Sequence, residues 1–507
     1  MKKCIPLMLA LALMLTLCAP AATTAEETPY AKIDWYIGLT PAKDLATAND
    51  ALNEYLKEKI NTEVNIIFLE TKEWEQRMGT MLASGQDLGI VGFGSQSKSD
   101  YVIESRRGSF YPLDELLDTV GTGTKALFSD GMWNAMKING HIYGIPTLKD
   151  NGYYISMIYN DTMAQELGID PMQGEYHSFR DLEPLLREAK EKRDAAHPEW
   201  ADQPVLWSNN RIEPYNFAFE IYLNENYVAV CNIDGIMDIE GYDPETVFNF
   251  YETPEYLDFC LQQQRMVEDG IMAYDYTDHT DWQKDGSMFA STGWGYLYMQ
   301  EHLYSDQFVT KMRMSDHIWT ATDNLHSAGT AISANCANPV NAMKVLELVN
   351  TDPFVATMLR FGVEGIHWTR DEEGKMTFKG TTNEDPGNRA YYYWYMAPAG
   401  NLTIVNAPEE LVGPDNLLMK QMVEYNQKAL LPPHMGFVFD PSPVANQVAA
   451  VSSVVQEYQK ELTNGQSGSQ DEVIEVVEEF RAKLVQNGSE VIVAEVQRQI
   501  DEWKAAQ

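Results

Sequence analysis

The alternation of strand-like and helix-like segments near the start of the chain places the strongest limit on its fold. Short segments rich in β-branched and aromatic residues alternate with longer segments whose apolar residues recur at helical spacing. A β-α-β-α-β order implies a parallel sheet covered by helices, and hence an α/β fold. We predict strands over 31–38, 64–68 and 87–94 and helices over 44–60 and 71–85, with Thr71 as the N-cap of the second helix.

The carboxyl ends of these strands are the expected place for a ligand. In open parallel sheets, ligands bind in the crevice beyond that edge. The loops that follow the three strands lie at 39–44, 70–71 and 93–97. We therefore expect this edge to form one wall of a site.

A second pattern occupies residues 138–161, INGHIYGIPTLKDNGYYISMIYND. Its Asn-Gly pair between two isoleucines predicts a tight hairpin. Pro146 and a polar break then separate two strand-like segments, and the second begins with Tyr153. We predict that the chain crosses near 147–153 from one lobe to another, and that Tyr153 faces the cleft between them.

The rest of the chain alternates in the same way and ends in strongly periodic helices. An Asn-Pro pair at 338–339 is typical of a helix start, and a Gly/Ser-rich linker lies between Gly465 and Gln470. We predict helices beginning at Ser178, Pro254 and Pro339, three helices after Val444, a surface loop over 190–203, and a return crossing near 318–330 within an extended segment over 318–336.

The charge of the chain limits its partners. There are 75 acidic against 37 basic residues, a formal net charge of -38. Such a field repels phosphate backbones and anionic headgroups, so we expect neither nucleic acid nor a membrane surface as a partner. A neutral or cationic ligand is favoured.

The N-terminus has the pattern of a secretory signal over residues 1–25. Two lysines precede an apolar run, and small residues lead to Ala25. We expect an exported, extracellular protein. Leu15-Thr-Leu-Cys18 also resembles a lipobox, although Leu17 stands where a small residue is usual. Lipidation at Cys18 and ordinary cleavage after Ala21 or Ala25 both stay open.

The remaining cysteines and the absence of catalytic motifs argue against enzyme activity and against a metal site in this protein. Cys231, Cys260 and Cys336 have long spacings and an odd count, which favours buried free thiols, with a Cys231–Cys260 bridge as the alternative. We find no P-loop, His-Glu-x-x-His, Gly-x-Ser-x-Gly or Cys-x-x-Cys pattern. We expect no enzyme activity, no cofactor and no metal site.

Aromatic residues are frequent at predicted turns and strand ends. Rings pack on the C–H faces of sugars, so this distribution suits a neutral carbohydrate, whereas most aromatic residues of any protein serve packing. The residues concerned are Trp207, Tyr215, Trp282, Trp294, Tyr296, Trp319, Trp368 and Tyr391–Tyr395.

Several motifs in a fixed order carry a resemblance to a known family. They are FYPLD at 110–114, NGHIYGIPT at 139–147, IYND at 158–161, ANPVNAMK at 337–344 with LVNTD at 348–352, FGVEGIH at 361–367 and GFVFDPSPV at 436–444. With these motifs the chain resembles the family 1 extracellular solute-binding proteins of ABC transporters. It looks most like the LipO-like branch, whose C-terminal region carries a domain of unassigned function.

The resemblance implies a periplasmic-binding-protein-like α/β fold of type II, in which two lobes joined by hinge strands close on a ligand. It implies an N-terminal lobe of residues 26–150 with 320–400 and a C-terminal lobe of 151–319 with 401–507, the latter including a helical C-terminal region. A protein of this family has no catalytic role and delivers its ligand to a membrane permease. We expect a monomer.

The resemblance also implies ligand contacts at six positions. Tyr215 lies in Glu-Pro-Tyr, similar to the maltodextrin-binding proteins, and Trp294 and Tyr296 lie in Thr-Gly-Trp-Gly-Tyr, which looks like the family's stacking segment. The loop over 39–44 departs from the maltodextrin type, so the sugar is not defined. The predicted ligand-binding residues are Phe93, Tyr153, Tyr215, Trp294, Tyr296 and Phe437.

Three functions are compared below. The first is capture of a neutral oligosaccharide between the lobes. The second is binding of a non-sugar solute such as a peptide or an amine, which the acidic field would attract. The third is an exported carbohydrate-active enzyme, which no motif supports.

Overall fold

The computed structural model describes most of the chain between Pro29 and Ala506. The predicted signal peptide and Cys18 lie outside it. The described residues are 29–94, 100–152, 155–174, 176, 179–207, 219–223, 226–233, 244–272, 285–294, 310–313, 317–393 and 399–506.

The N-terminal lobe is built on a five-stranded sheet with strand order β2-β1-β3-β13-β6. Strands β1, β2 and β3 are parallel, as the alternation predicts, and β13 returns antiparallel between β3 and β6. All three predicted strands are confirmed. The strands are β1 (Ala31–Ile37), β2 (Thr62–Phe68), β3 (Ile90–Gly94), β6 (Gly144–Pro146) and β13 (Ala328–Ile332).

Helices cover this sheet and bury their apolar faces on it. Trp74, Met78 and Leu82 of the second helix are buried as expected. Thr71 is the first helical residue rather than the N-cap, because Glu70 has the extended conformation that precedes the helix. The helices are α1 (Leu45–Ile60), α2 (Thr71–Ala83), α3 (Tyr101–Arg106), α4 (Asp114–Thr119), α5 (Thr122–Lys125), α6 (Asp130–Ala135), α11 (Pro339–Thr351) and α12 (Pro353–Phe361), with α10 (Thr322–His326) on the return crossing.

The Asn-Gly hairpin is confirmed. Asn139 and Gly140 have φ angles of 52° and 86°, the left-handed pair that a two-residue turn requires. The turn joins the short strands β4 (Lys137–Ile138) and β5 (His141–Ile142).

The C-terminal lobe contains a four-stranded sheet with strand order β12-β7-β11-β8. Strand β7 is antiparallel to both β11 and β12, and β11 is parallel to β8. A separate hairpin of β9 and β10 lies under the C-terminal helices. The elements are β7 (Ile155–Tyr159), α7 (Asp161–Leu167), α8 (Glu183–Ala196), β8 (Leu206–Trp207), β9 (Phe219–Leu223), β10 (Asn226–Asn232), α9 (Pro254–Glu268), β11 (Ala290–Trp294) and β12 (Thr310–Arg313).

The predicted surface loop over 190–203 is wrong in its first half, where helix α8 continues to Ala196. The cause is Arg193, which is fully buried and donates to the carbonyl oxygens of Pro204, Ser287, Trp200 and Gln203. A buried guanidinium needs such partners, and only the helical turn aims it at them. Local composition does not reveal the acceptor at Ser287, which lies 94 residues further along the chain.

The extended segment predicted over 318–336 is also wrong in part. Residues Thr322–His326 form helix α10, and the strand begins only at Ala328. The first N–H of this helix donates to Glu220 Oε2 at 3.1 Å, a partner on a distant strand. The return crossing itself is confirmed, since the chain leaves the second sheet at Arg313 and enters the first at Ala328.

The C-terminal region is helical, as its periodicity predicts. The helix that restarts after Asn487-Gly488 begins at Ser489 as expected. The remaining elements are β14 (Thr369–Arg370), β15 (Met376–Thr377), α13 (Glu409–Val412), α14 (Leu417–Lys428), α15 (Ala445–Thr463), α16 (Gln470–Gln486) and α17 (Ser489–Ala505).

Each lobe has its own apolar core, and helix α12 contributes to both. Val355 and Leu359 belong to the core of the first lobe, whereas Ala356 and Phe361 belong to that of the second. Cys231, Cys260 and Cys336 are buried free thiols, so the alternative bridge is absent. Within the described ranges, no helix combines the length and the apolar character that a membrane span requires.

Candidate ligand cleft

The hinge-side edge of the C-terminal lobe carries two tryptophans on neighbouring strands. Trp207 ends β8 and lies opposite Ser291 of β11, and Trp294 ends β11 opposite Ile155. Ile155 begins β7, where the chain arrives from the first lobe. Both tryptophans therefore lie at the edge of the sheet that faces the crossing.

Trp207 is half-buried and lies on a small apolar cluster. Its ring packs against Ile158 and Met288, which are both fully buried. A ring supported from behind keeps one orientation, and this is what a stacking surface for a ligand requires.

The loop over 39–44 follows β1 at the carboxyl edge of the first sheet, and Tyr393 holds it in place. The Tyr393 hydroxyl accepts from the Ala42 N–H and donates to the Thr40 oxygen at 3.0 Å. Its ring stacks on Phe68 with centroids 5.0 Å apart. The loop is thus fixed by a residue from more than 300 positions away.

Asp44, at the end of this loop, is held by a buried histidine. The Val363 N–H donates to His367 Nδ1 at 2.9 Å, so the ring proton is on Nε2, which lies 3.2 Å from Asp44 Oδ2. Burial lowers the pKa of His367, and the hydroxyl of Thr47, followed by His367, lowers the pKa of Asp44. A neutral imidazole therefore positions a charged carboxylate at neutral pH.

The first crossing is clamped to helix α14 through backbone groups. Asn426 accepts from the Gly152 N–H and donates to the Lys149 oxygen, both at 2.7 Å. A Cβ atom on Gly152 would lie 2.6 Å from the Tyr425 oxygen, so a larger residue would clash with the helix. Asn151 is buried and donates to the Thr147 oxygen at 3.3 Å. The crossing is therefore a defined polar hinge.

Two predicted ligand contacts have their rings in lobe packing. Phe93 is 2% exposed, contacts Tyr101 at 4.7 Å between centroids, and fills the space in front of two glycines of the sheet. Phe437 is 5% exposed and lies between Tyr222 and Trp503, with centroid distances of 5.5 and 6.0 Å. Ligand contact through these rings stays a prediction.

The other predicted contacts are described in part or not at all. The backbone of Trp294 ends β11. Tyr153, Tyr215 and Tyr296 lie outside the described residues. Trp207 was not among the six, although its place at a strand end is visible in the sequence. In the part of the chain that is described, no three His, Cys, Asp or Glu side chains gather as they would around a metal ion.

The fold is that of the two-lobed solute-binding proteins. Residues 433–505 match a domain of unknown function (DUF3502). A carbohydrate ABC transporter substrate-binding protein of Streptococcus pneumoniae serotype 4 is 23% identical over 465 residues, which cover 89% of this chain and 86% of that protein.

Solved structures give the same result for the fold. The N-glycan transport solute-binding protein NgtS of Streptococcus pneumoniae matches with a TM-score of 0.78 at 22% identity, covering 94% of this chain and 99% of its own. A structure of the same protein in complex with Man1GlcNAc matches with a TM-score of 0.69 at 20% identity, covering 93% and 99%. The resemblance to the extracellular solute-binding proteins of ABC transporters is confirmed, together with the C-terminal domain of unassigned function that it implies.

Proposed function

We propose that the protein is the extracellular solute-binding component of an ABC importer, and that it captures a neutral oligosaccharide between its two lobes and delivers it to the permease. The observation that carries the proposal is the pair of tryptophans at the hinge-side edge of the second lobe, Trp207 supported by its apolar cluster and Trp294 on the next strand. Rings at this place suit the C–H faces of a sugar.

Two further observations support an uncharged ligand. The net charge of -38 disfavours anions. The relatives are named for carbohydrates and N-glycans. Peptides and amines remain the competing class of ligand.

The proposed ring contacts are Trp294, Trp207, Tyr153, Tyr215 and Tyr296. Hydrogen bonds would orient the hydroxyl groups, and stacking would supply much of the affinity. We assign no catalytic residue. The protein would work as a monomer with one permease.

Export is part of this proposal. The signal segment would be removed, either by ordinary cleavage after Ala21 or Ala25 or by cleavage before a lipidated Cys18. The mass of the mature N-terminus distinguishes the two, because a diacylglycerol on Cys18 adds the mass of two acyl chains.

A thermal-shift screen tests the proposed ligand class. The panel contains neutral oligosaccharides, beginning with Man1GlcNAc and Man5GlcNAc, which occur in solved NgtS complexes, together with peptides and polyamines. A ligand at 100 times its Kd stabilises the folded state by about 2.7 kcal/mol, so a true ligand shifts Tm by several degrees. Stabilisation by amines alone would overturn the sugar proposal, and release of product from chromogenic glycosides would support the enzyme instead.

A further inference from the structure

The first residues of the C-terminal domain, His434–Phe439, contact both lobes. We call this segment the brace. It follows helix α14 and precedes the three C-terminal helices, and it falls at the start of the region that matches the domain of unknown function. Its side chains and backbone groups divide between two cores.

The brace is anchored in the N-terminal lobe by packing and by close backbone contact. Met435 is 8% exposed and belongs to the apolar core of that lobe. Gly436 has a φ of 94°, and a Cβ atom there would lie 2.5 Å from the Asn134 oxygen. The Val438 oxygen accepts from Arg106 Nη2 at 3.2 Å. Helices α3 and α6 therefore hold one side of the segment.

The same segment is anchored in the C-terminal lobe. His434 Nδ1 lies 2.8 Å from the Tyr222 hydroxyl on β9. Phe437 packs on Tyr222 as described above, and Phe439 belongs to the core of this lobe. Three residues of the six thus contact each lobe.

Thr322 joins the brace to the return crossing. Its hydroxyl accepts from the Gly436 N–H at 3.1 Å and lies 3.7 Å from Met435 Sδ. Its own N–H donates to Glu220 of β9. One buried residue therefore connects the crossing, the brace and the second lobe.

The contact between the N-terminal lobe and the C-terminal helices is interrupted by a cavity beside the brace. A cavity of about 540 Å³ opens beside it, lined by Arg106, Asn134 and the hairpin of β4 and β5 on one side and by Val438 and Trp503 on the other. At this place the N-terminal lobe and the C-terminal helices thus contact each other through the brace rather than through a continuous interface.

From this arrangement we infer that the C-terminal domain fixes the angle between the lobes, with the brace as the connection that resists opening. Interlobe angles change by rotation at a few hinge residues, and contacts with both lobes oppose that rotation. If the brace is lost, the lobes should sample a wider range of angles and release a ligand faster. This consequence for ligand binding rests on the proposed function. The structural claim itself needs no ligand.

Distance measurement between spin labels tests the inference. Cysteines introduced by Glu58→Cys on α1 and Glu191→Cys on α8 are exposed and carry one nitroxide in each lobe, while Cys231, Cys260 and Cys336 are buried. Met435→Ala removes the apolar anchor, and Thr322→Val removes the hydroxyl that accepts from Gly436. Met78→Ala is the matched control, since Met78 is 1% exposed within the first lobe and away from the brace.

We expect a narrow interlobe distribution in the parent protein and in Met78→Ala. Loss of a brace contact should widen the interlobe distance distribution about twofold, since the lobes then sample a range of hinge angles. Widening in either brace variant supports the inference. Distributions as narrow as that of the control in both variants would overturn it, and if Met435→Ala fails to fold, Thr322→Val decides alone. No outcome depends on which ligand the protein binds.

Discussion

The two lobes use aromatic residues at the cleft in different ways. In the first lobe, Phe93 lies in the core and Tyr393 fastens the loop at the end of β1, so both rings serve the lobe itself. In the second lobe, Trp207 is half-buried at a strand end and Trp294 ends the next strand. Aromatic content at a sheet edge therefore does not define a binding surface. Whether a ring can serve as a binding surface depends on the residues that pack behind it.

Glycines explain the difference at Phe93. Gly329 lies directly opposite it on β13, and a Cβ atom on Gly329 or Gly144 would come within 2.3 or 2.4 Å of its ring. Two missing side chains thus create the space that the ring fills. In the second lobe, the residue opposite Trp207 is Ser291.

The largest effect is expected for Phe93→Ala. Removing a fully buried ring leaves a cavity, and such changes cost about 3–5 kcal/mol of unfolding free energy. Urea denaturation measures this loss. If the ring serves packing alone, the affinity of the folded variant for a confirmed oligosaccharide should change less than about threefold. A tenfold loss of affinity would show instead that ligand reaches Phe93.

The opposite behaviour is expected for Trp294→Ala. Loss of a desolvated stacking ring costs about 2 kcal/mol of binding, so Kd should rise at least about tenfold by titration calorimetry. The control is Trp200→Ala, a half-buried tryptophan stacked on His197 near the other end of β8. Equal affinities for the parent and Trp294→Ala would remove this residue from the site.

The lobes also differ in their buried carboxyl groups. Glu104 in the first lobe is paired with Arg107 and Ser109. Glu220 in the second lobe accepts from the Thr322 N–H and has Asp323 as a charged neighbour. Burial, followed by Asp323, raises the pKa of Glu220 to about 8, so its neutral form is the stable one.

This pKa gives a stability that falls with rising pH. A raised folded pKa means that the stabilisation is complete below the ordinary value of 4.5 and is lost as pH rises through 8. Burial lowers the pKa values of His326 and His434 to about 4. These two histidines therefore change the unfolding free energy only at pH below 6.5. Between pH 6.5 and 8 we expect the unfolding free energy to fall by about 2 kcal/mol in the parent and to stay level in Glu220→Gln. Parallel curves for the two proteins would contradict the assignment.

The smallest effect is expected for Tyr393→Phe. The ring and its stacking on Phe68 remain, whereas the hydroxyl bonds to Thr40 and Ala42 are lost, which costs about 1 kcal/mol. Hydrogen exchange at the loop over 39–44 should speed up by about fivefold while exchange in β8 is unchanged. Equal exchange in the loop would show that other contacts hold it.

Much of the fold follows from the sequence because its signals are local. Strand alternation, the Asn-Gly hairpin and the three C-terminal helices depend on neighbours within a few residues. The sequence does not predict helix α10 or the second half of α8, because Thr322 donates to Glu220 102 residues away and Arg193 donates to Ser287 94 residues away.

The candidate site shows the same limit. The sequence places Trp207 and Trp294 at strand ends, and the structure has them there, since strand ends are local. It does not show that Phe93 fills a space between Gly144 and Gly329, because the three positions meet only in the folded sheet. The sequence does not predict the brace either, because the residues that it contacts are distant along the chain and meet it only in the folded protein.

The most direct measurement is the distance between the two spin labels with and without saturating oligosaccharide. We expect a neutral oligosaccharide to shorten the interlobe distance and to narrow its distribution, and polyamines and peptides to leave both unchanged. A protein whose lobes close on amines or peptides alone, or on no member of the panel, would contradict it.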